Sequence, residues 1–260
     1  MGVAISGRPG ASAKWRTASL TPRLPRAMTT TWHSKAEKVV ADHWSGASAA
    51  LRCSLSFASV YVYAPRGEGF TSAAARLLCQ RVKASDPRWL PQYARKVVEL
   101  CARERRFAQL FARDAWLVPV PGCAPTCERS TAARELAIAL HELGLGQGIW
   151  AGITRCTAVA RSATALLGER PTVRQHYESF GVAAAPRGQP LNRIVLIDDV
   201  ITKGRTLFAA ALRLRCTFPH ADIRAGALVR TTGFLSHLDR VLEPCHGVVQ
   251  WAGGDARREP

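Results

Sequence analysis

Two consecutive carboxylates, Asp198 and Asp199, follow the apolar run at residues 194–197. This run has the length and composition of a buried strand. Adjacent acids at the end of such a strand can accept hydrogen bonds from a vicinal diol, such as the 2- and 3-hydroxyls of ribose. The pair therefore predicts a binding site for the hydroxyls of a sugar.

The loop after the acids carries the groups that bind a phosphate. Thr202 and Thr206 supply hydroxyls, and Gly204 permits a positive φ and a close approach of the ligand to the backbone. A helix predicted over residues 205–215 would begin here, and the backbone N–H groups of a helix N-terminus attract anions. A diol grip followed by an anion cradle predicts a ribose 5-phosphate site.

A purely structural interpretation of the same residues is an acidic turn that caps the helix, with Thr202 as the N-cap. Acidic pairs and Thr-x-Gly turns are each common, so either half alone favours this interpretation. Their joint occurrence directly after a buried strand favours the ligand site.

The segment IVLIDDVITKGRT, residues 194–206, resembles the phosphoribosyl-diphosphate motif of type I phosphoribosyltransferases. The resemblance implies that Asp198 and Asp199 hold the ribose and that the following loop binds the 5-phosphate. It also implies Mg²⁺ held mainly through the substrate. Purine-salvage members carry an Asp at position 202, and a threonine there cannot act as a base, which disfavours hypoxanthine and guanine as acceptors. The implied phosphate-binding residues are Thr202, Lys203, Gly204, Arg205 and Thr206.

A second loop follows a short apolar strand predicted at residues 116–120, where two prolines in three residues fix a rigid turn. Alone it indicates an ordinary strand-to-helix connection. The run VPVPGCAPTCERSTAARELAIAL is similar to the ComF-like branch of the family, which implies that Pro121, Gly122 and Arg129 contact the diphosphate. Thr131 and Ala132 stand where that branch usually has Asn and Gln.

Residues 155–190 form an Arg-rich stretch between the two loops. In the family this region is a mobile hood, and cationic side chains there stabilise the leaving diphosphate. Arg161 is the catalytic residue that the resemblance favours, and a solvated basic loop is the alternative. A single loop histidine, such as His176, is expected to be solvated.

The rest of the pattern predicts the fold class. Strands alternate with helices from residue 57 to residue 230, which favours α/β architecture with a parallel sheet and helices on both faces. The resemblance narrows this to a Rossmann-like type I phosphoribosyltransferase core with a small hood. In such sheets ligands bind beyond the carboxyl ends of the strands. The predicted strands are 57–63, 116–120, 149–154, 193–197 and 223–230, and the predicted helices are 71–83, 91–112, 129–143 and 205–215.

The predicted domain covers residues 55–235, flanked by an N-terminal extension (1–54) and a C-terminal tail (236–260). The extension is rich in Ser, Pro and Arg, and its first acid is Glu37, which predicts a disordered tail, a transit peptide or upstream sequence that is not translated. Its first 36 residues supply six positive charges of the net +17. Such charge attracts any phosphate and does not by itself indicate nucleic acid.

Composition excludes some classes and leaves two open. No apolar run reaches the length of a membrane span, and eight scattered cysteines without a secretory signal favour a cytoplasmic protein. The favoured function is transfer of a phosphoribosyl group from phosphoribosyl diphosphate to an unidentified nitrogen acceptor. The alternative is a non-catalytic nucleotide-sensing or DNA-uptake-associated module. Homodimerisation is left open.

Overall fold

A seven-stranded mixed sheet carries the candidate site. The computed structural model describes residues 54–125, 131–160, 170–186, 189–233 and 235–260. The strands of the described ranges are β1 Ser54–Tyr63, β2 Trp116–Pro119, β3 Gly148–Ile149, β4 Ile153–Arg155, β5 Phe180–Val182, β6 Arg193–Ile201, β7 Asp222–Thr231, β8 Leu242–Ala252 and β9 Asp255–Glu259. The helices are α1 Gly69–Lys83, α2 Leu90–Arg103, α3 Arg105–Leu110, α4 Ala132–Glu142, α5 Val173–Ser179 and α6 Arg205–Thr217.

The strand order in the main sheet is β3-β2-β6-β7-β1-β8-β9. The first five strands in this order run parallel, whereas β8 is antiparallel to β1 and β9 is antiparallel to β8. The α/β class is therefore confirmed, and the prediction of a wholly parallel sheet is corrected to a mixed one with an antiparallel edge. Such edges are common on parallel sheets.

The central strand β6 is buried on both faces. Val195 and Ile197 belong to a core cluster with residues of α2, α3 and α4, and the alternating residues Ile194 and Leu196 are fully buried as well. Since alternate side chains of a strand point to opposite faces, both faces of β6 are covered. This explains why the sequence of its first half contains an uninterrupted apolar run.

Two predicted elements are divided in the structure. The helix predicted over residues 91–112 breaks at Glu104, whose backbone is extended with φ −124° and ψ 113°. The strand predicted over 149–154 becomes β3 in the main sheet and β4, which pairs with β5 in a separate two-stranded sheet. We call β4, α5 and β5 the small subsheet unit. The Arg-rich stretch predicted as a loop thus contains regular structure.

The predicted C-terminal tail is part of the main sheet. Residues 242–259 form the β8–β9 hairpin, and β8 pairs with β1 along most of its length. Its side chains give a weak hydrophobic signal because most of them are only half-buried. Backbone pairing with β1 places this segment in the sheet, so the prediction that the domain ends at residue 235 is wrong.

No helix in the described ranges is long and apolar enough to cross a membrane. The six cysteines of those ranges are all free thiols.

Candidate functional site

The two acids lie within β6 rather than beyond its end. Asp198 is paired with Ala227 of β7, and the ladder continues to Ile201, opposite Arg230. Each carboxylate accepts a backbone N–H from the next residue: Asp198 from Asp199 at 2.9 Å, and Asp199 from Val200 at 2.8 Å. The strand therefore fixes both side chains close to the carboxyl edge of the sheet.

Burial raises the pKa of Asp198 well above its usual range, and the adjacent Asp199 raises it further. Lys83 of α1 acts in the opposite direction. Desolvation and a like charge both disfavour the ionised carboxylate. The pair is consequently held at an electrostatic cost that hydrogen-bond donors or a cation would relieve.

The helix after the acids begins without a side-chain cap. The N-cap of α6 is Gly204, with φ +81°, and it supplies no side-chain hydrogen bond to the first turn. The neighbouring α5 differs, because Thr172 accepts the backbone N–H of Gln175 in a capping box. The first-turn N–H groups of a helix have no intrahelical partner. Thr202 is thus not the N-cap of α6, which corrects that part of the structural interpretation.

Gly204 is required for two physical reasons. Its positive φ lies in the left-handed region, where side chains are strained. A Cβ at this position would also lie 2.6 Å from Cγ2 of Val249, a fully buried residue of β8. The β8–β9 hairpin therefore packs directly on the loop.

A carboxylate of the same hairpin holds the basic side chains of the loop. Asp255 accepts from both Nε and Nη2 of Arg205, the former at 2.7 Å, and Lys203 Nζ lies 3.6 Å from its Oδ2. Arg205 Nη1 donates to the backbone carbonyls of Arg170 and Pro171. The guanidinium of Arg205 is therefore held by contacts within the protein rather than placed for the predicted phosphate, which its backbone N–H could still bind.

The hairpin also fixes the end of β6. Arg258 of β9 donates through Nη1 to the Ile201 carbonyl at 3.0 Å and through Nη2 to the Thr231 carbonyl of β7. Burial lowers the pKa of Arg258, and the nearby Arg230 lowers it further. The loop at residues 202–204 is thus held by hairpin contacts at both of its ends.

The loop after β2 is anchored through the N–H of Val120 and through two of its carbonyls. Val120 N–H bonds to the Ile197 carbonyl at 2.9 Å, Arg155 Nε bonds to the Gly122 carbonyl at 2.9 Å, and Val159 N–H bonds to the Cys123 carbonyl at 2.8 Å. In a trans peptide the carbonyl and the following N–H point in opposite directions. The N–H groups of residues 123 and 124 therefore point away from Arg155 and Val159. The partly buried Pro121 and the exposed Gly122 lie in this loop.

A buried polar cluster lies between the two loops. Arg155 ends β4 with 6% exposure, packs over the Phe180 ring, and donates to the hydroxyl of Ser179. Burial lowers the pKa of Arg155 to about 10, so it is a cation at neutral pH. His176 lies beside it, with Nδ1 3.5 Å from Arg155 Nη1 and Nε2 3.4 Å from Thr206 Oγ1.

His176 is 3% exposed, which contradicts the expectation of a solvated loop histidine. Burial and, to a smaller extent, the cations Arg155 and Arg205 together lower its pKa to about 4. The ring is therefore neutral at physiological pH. The capping box of α5 forms a helix where composition indicated only a loop, and this helix carries the ring inward.

No family model matches this chain, and no curated protein matches it significantly.

Two predicted residues, Arg129 and Arg161, lie outside the described residues, so their predicted contacts with the diphosphate stay predictions. Of the other predicted residues, the structure places Asp198, Asp199 and the loop 202–206 on one strand-to-helix connection. Within the described part of the chain, no group of three or more His, Cys, Asp or Glu side chains could hold a metal. The two adjacent carboxylates are hard oxygen donors, which fit a Mg²⁺ that takes its remaining ligands from substrate and water.

Three residues of the site were missed by reasoning from the sequence. Arg155 was one of several arginines in the polar stretch, and no spacing distinguished it. Asp255 and Val249 lie in the segment predicted as a tail. The sequence carries a weak signal for Val249, because apolar and polar side chains partly alternate around it as they do in a strand.

Proposed function

We propose that the protein binds phosphoribosyl diphosphate with Mg²⁺ and transfers the phosphoribosyl group to a nitrogen nucleophile. The observation that carries the proposal is the β6–α6 connection. There, two interacting carboxylates precede a helix that starts at a left-handed glycine without a side-chain cap. The fold supports it, because this connection lies at the carboxyl edge of parallel strands.

Each part of the substrate has a matching group in this proposal. Asp198 and Asp199 accept hydrogen bonds from the ribose hydroxyls. The N–H groups at the start of α6 and the Thr206 hydroxyl bind the 5-phosphate. The outward N–H groups of the loop after β2 face the diphosphate, and the small subsheet unit takes the place of the hood.

The reaction breaks the bond between ribose C1 and the diphosphate oxygen, and the electron pair leaves with diphosphate. A C1–N bond forms to the acceptor, whose nitrogen loses a proton. Mg²⁺, when bound, neutralises charge on the leaving diphosphate. The chain itself contributes charge through Arg155, a buried cation that bonds to the loop after β2. Arg161 stays a predicted contributor.

Calorimetric titration tests the site with ligands that separate its two halves. Ribose 5-phosphate presents the diol and the phosphate, 2-deoxyribose 5-phosphate lacks one hydroxyl, and phosphoribosyl diphosphate with Mg²⁺ presents the whole substrate. We expect the parent to bind the first and third, and the 2-deoxy compound roughly tenfold more weakly than ribose 5-phosphate, because a hydrogen bond to a charged group is lost.

The double variant Asp198→Asn/Asp199→Asn should lose at least about tenfold in affinity for ribose 5-phosphate. Asp222→Asn is the matched control, because Asp222 lies at the start of β7, at the opposite edge of the sheet. Absence of binding to the parent would contradict the site. Binding that the double variant retains would contradict the role of the acids.

Product analysis then separates the two function classes. Release of diphosphate with candidate amines or bases supports the transferase. Tight binding of phosphoribosyl diphosphate with no product supports the nucleotide-sensing alternative, in which the ribose-phosphate site is kept without the chemistry. A ComF-like affiliation and a cytoplasmic location belong to this proposal as expectations.

A further inference from the structure

In the buried cluster around His176, the neighbouring side chains determine which ring nitrogen of the histidine carries the proton. The guanidinium of Arg155 carries five N–H donors and no acceptor. His176 Nδ1 lies 3.5 Å from Arg155 Nη1, so this nitrogen must present its lone pair. A neutral imidazole with an acceptor at Nδ1 carries its proton on Nε2.

The protonated nitrogen faces the phosphate loop. His176 Nε2 lies 3.4 Å from Thr206 Oγ1, so the threonine oxygen receives the N–H. Thr206 is the second residue of α6, two residues after the N-cap Gly204, and it is partly exposed. With its oxygen occupied by the histidine, the hydroxyl proton of Thr206 is directed elsewhere.

The surroundings of the ring keep this arrangement in place. Arg155 of β4 and Arg205 of α6 both oppose a positive charge on the ring. Phe180 of β5 stacks on it at a centroid distance of 6.3 Å, and Ser179 donates to the His176 carbonyl at 2.7 Å. Arg155 also holds the Gly122 carbonyl, so the same cation anchors the loop after β2.

We propose that His176 is a positioning residue that, oriented by Arg155, fixes the Thr206 hydroxyl as a hydrogen-bond donor to the 5-phosphate. This inference rests on the proposed function, since the phosphate is the ligand of that site. It adds a residue that does not touch the ligand. It also gives a role to a histidine that is buried beside Arg155, where an apolar side chain would otherwise be expected.

A double-mutant cycle measured with ribose 5-phosphate tests the proposal. The variants are His176→Phe, which keeps the ring and loses the donor, and Thr206→Val, which keeps the shape and loses the hydroxyl. We expect each single variant to bind ribose 5-phosphate roughly tenfold more weakly than the parent. The double variant should lose no more affinity than the single variant with the larger loss. Two conservative variants, His176→Gln and Thr206→Ser, retain a donor and a hydroxyl and should stay within about threefold of the parent.

His141→Phe is the control, because His141 is exposed on α4 and away from this cluster. If both single losses add in the double variant, or if His176→Phe binds like the parent, the proposal is overturned while the ribose-phosphate site stands. If the parent itself does not bind ribose 5-phosphate, both fall.

Nitrogen-15 NMR of the parent gives a second readout that needs no variant to fold. A proton on Nε2 of His176 and a bare Nδ1 are expected. A proton on Nδ1 would overturn the proposal, because Thr206 would then be the donor to the ring and its hydroxyl proton would be turned away from the phosphate.

Discussion

At the scale of single residues, the site concentrates groups that are electrostatically unfavourable without a ligand. Asp198 is held beside Asp199 in the partly buried second half of β6, and burial with that neighbour raises its pKa well above the usual range. Arg155 is a buried cation within electrostatic range of Asp198. Strongly perturbed groups gathered at one strand edge are typical of functional sites.

Replacing Asp198 should therefore stabilise the protein while it weakens ribose binding. In the folded state the pKa of Asp198 is raised, so the native protein binds more protons than the unfolded chain and loses stability as pH rises above about 4. We expect Asp198→Asn to gain about 1 kcal/mol in the free energy of unfolding at pH 7, and less at pH 4. Urea unfolding at the two pH values measures this.

The control for this prediction is Asp239→Asn, which removes the same charge from an exposed position. It should change the free energy of unfolding by less than about 0.5 kcal/mol. An Asp198→Asn protein that is less stable than the parent at pH 7 would show that the carboxylate contributes net stability instead.

At the scale of elements, the loops after β6 and after β2 differ in whether the fold requires their glycine. Gly204 starts α6 at φ +81° and packs against Val249, whereas a Cβ on Gly122 would lie 3.8 Å from Thr131 Cγ2, an ordinary contact. The fold thus requires a glycine at position 204, in the loop after β6, and tolerates a side chain at position 122, in the loop after β2.

Two alanine substitutions should distinguish a glycine that the fold requires from one that a ligand requires. Gly204→Ala should lower the free energy of unfolding by roughly 2 kcal/mol or more, because it adds left-handed strain to a steric clash. Gly122→Ala should leave stability within about 0.5 kcal/mol and weaken pyrophosphate binding, since a ligand that approaches this backbone would meet the new methyl group. Thermal unfolding and pyrophosphate titration of both variants provide the measurement.

For Gly122→Ala, unchanged pyrophosphate affinity would argue against a diphosphate at the loop after β2. For Gly204→Ala, unchanged stability would mean that the loop can relax away from β8.

At the scale of the whole molecule, the C-terminal hairpin joins the sheet edge to the loop at residues 202–204. β8 completes the sheet beside β1, Val249 packs on Gly204, and Asp255 pairs with Arg205. The hairpin thereby ties a segment at the end of the chain to the connection that carries the acids.

Deletion of residues 242–260 should therefore abolish cooperative unfolding, not merely remove a tail. It would leave β1, which pairs with β7 on its other side, as an exposed sheet edge and remove the fully buried Val249 from its contact with the loop. Thermal unfolding followed by circular dichroism tests this. Asp255→Asn is the milder variant and should cost about 1 kcal/mol, because its ion pair is partly exposed and screened. A truncated protein that melts like the parent would contradict the prediction.

The sequence by itself determined the parts of the protein whose signal is local. The apolar run 194–197, the acid pair and the Thr-x-Gly-x-Thr loop lie within 13 residues, so hydrophobicity and backbone requirements alone predicted a strand, its acids and a helix after residue 204. The α/β class followed from the alternation of strands and helices in the same way.

Only the tertiary structure decided which distant residues meet at that connection. Asp255 and Val249 reach it through pairing of β8 with β1, and His176, which lies beside Arg155, reaches it from the small subsheet unit. These contacts depend on backbone pairing and on burial across long stretches of chain, which leave no periodic mark in the sequence. For the same reason Arg205, which local spacing assigns to the phosphate, is held instead by a carboxylate 50 residues away.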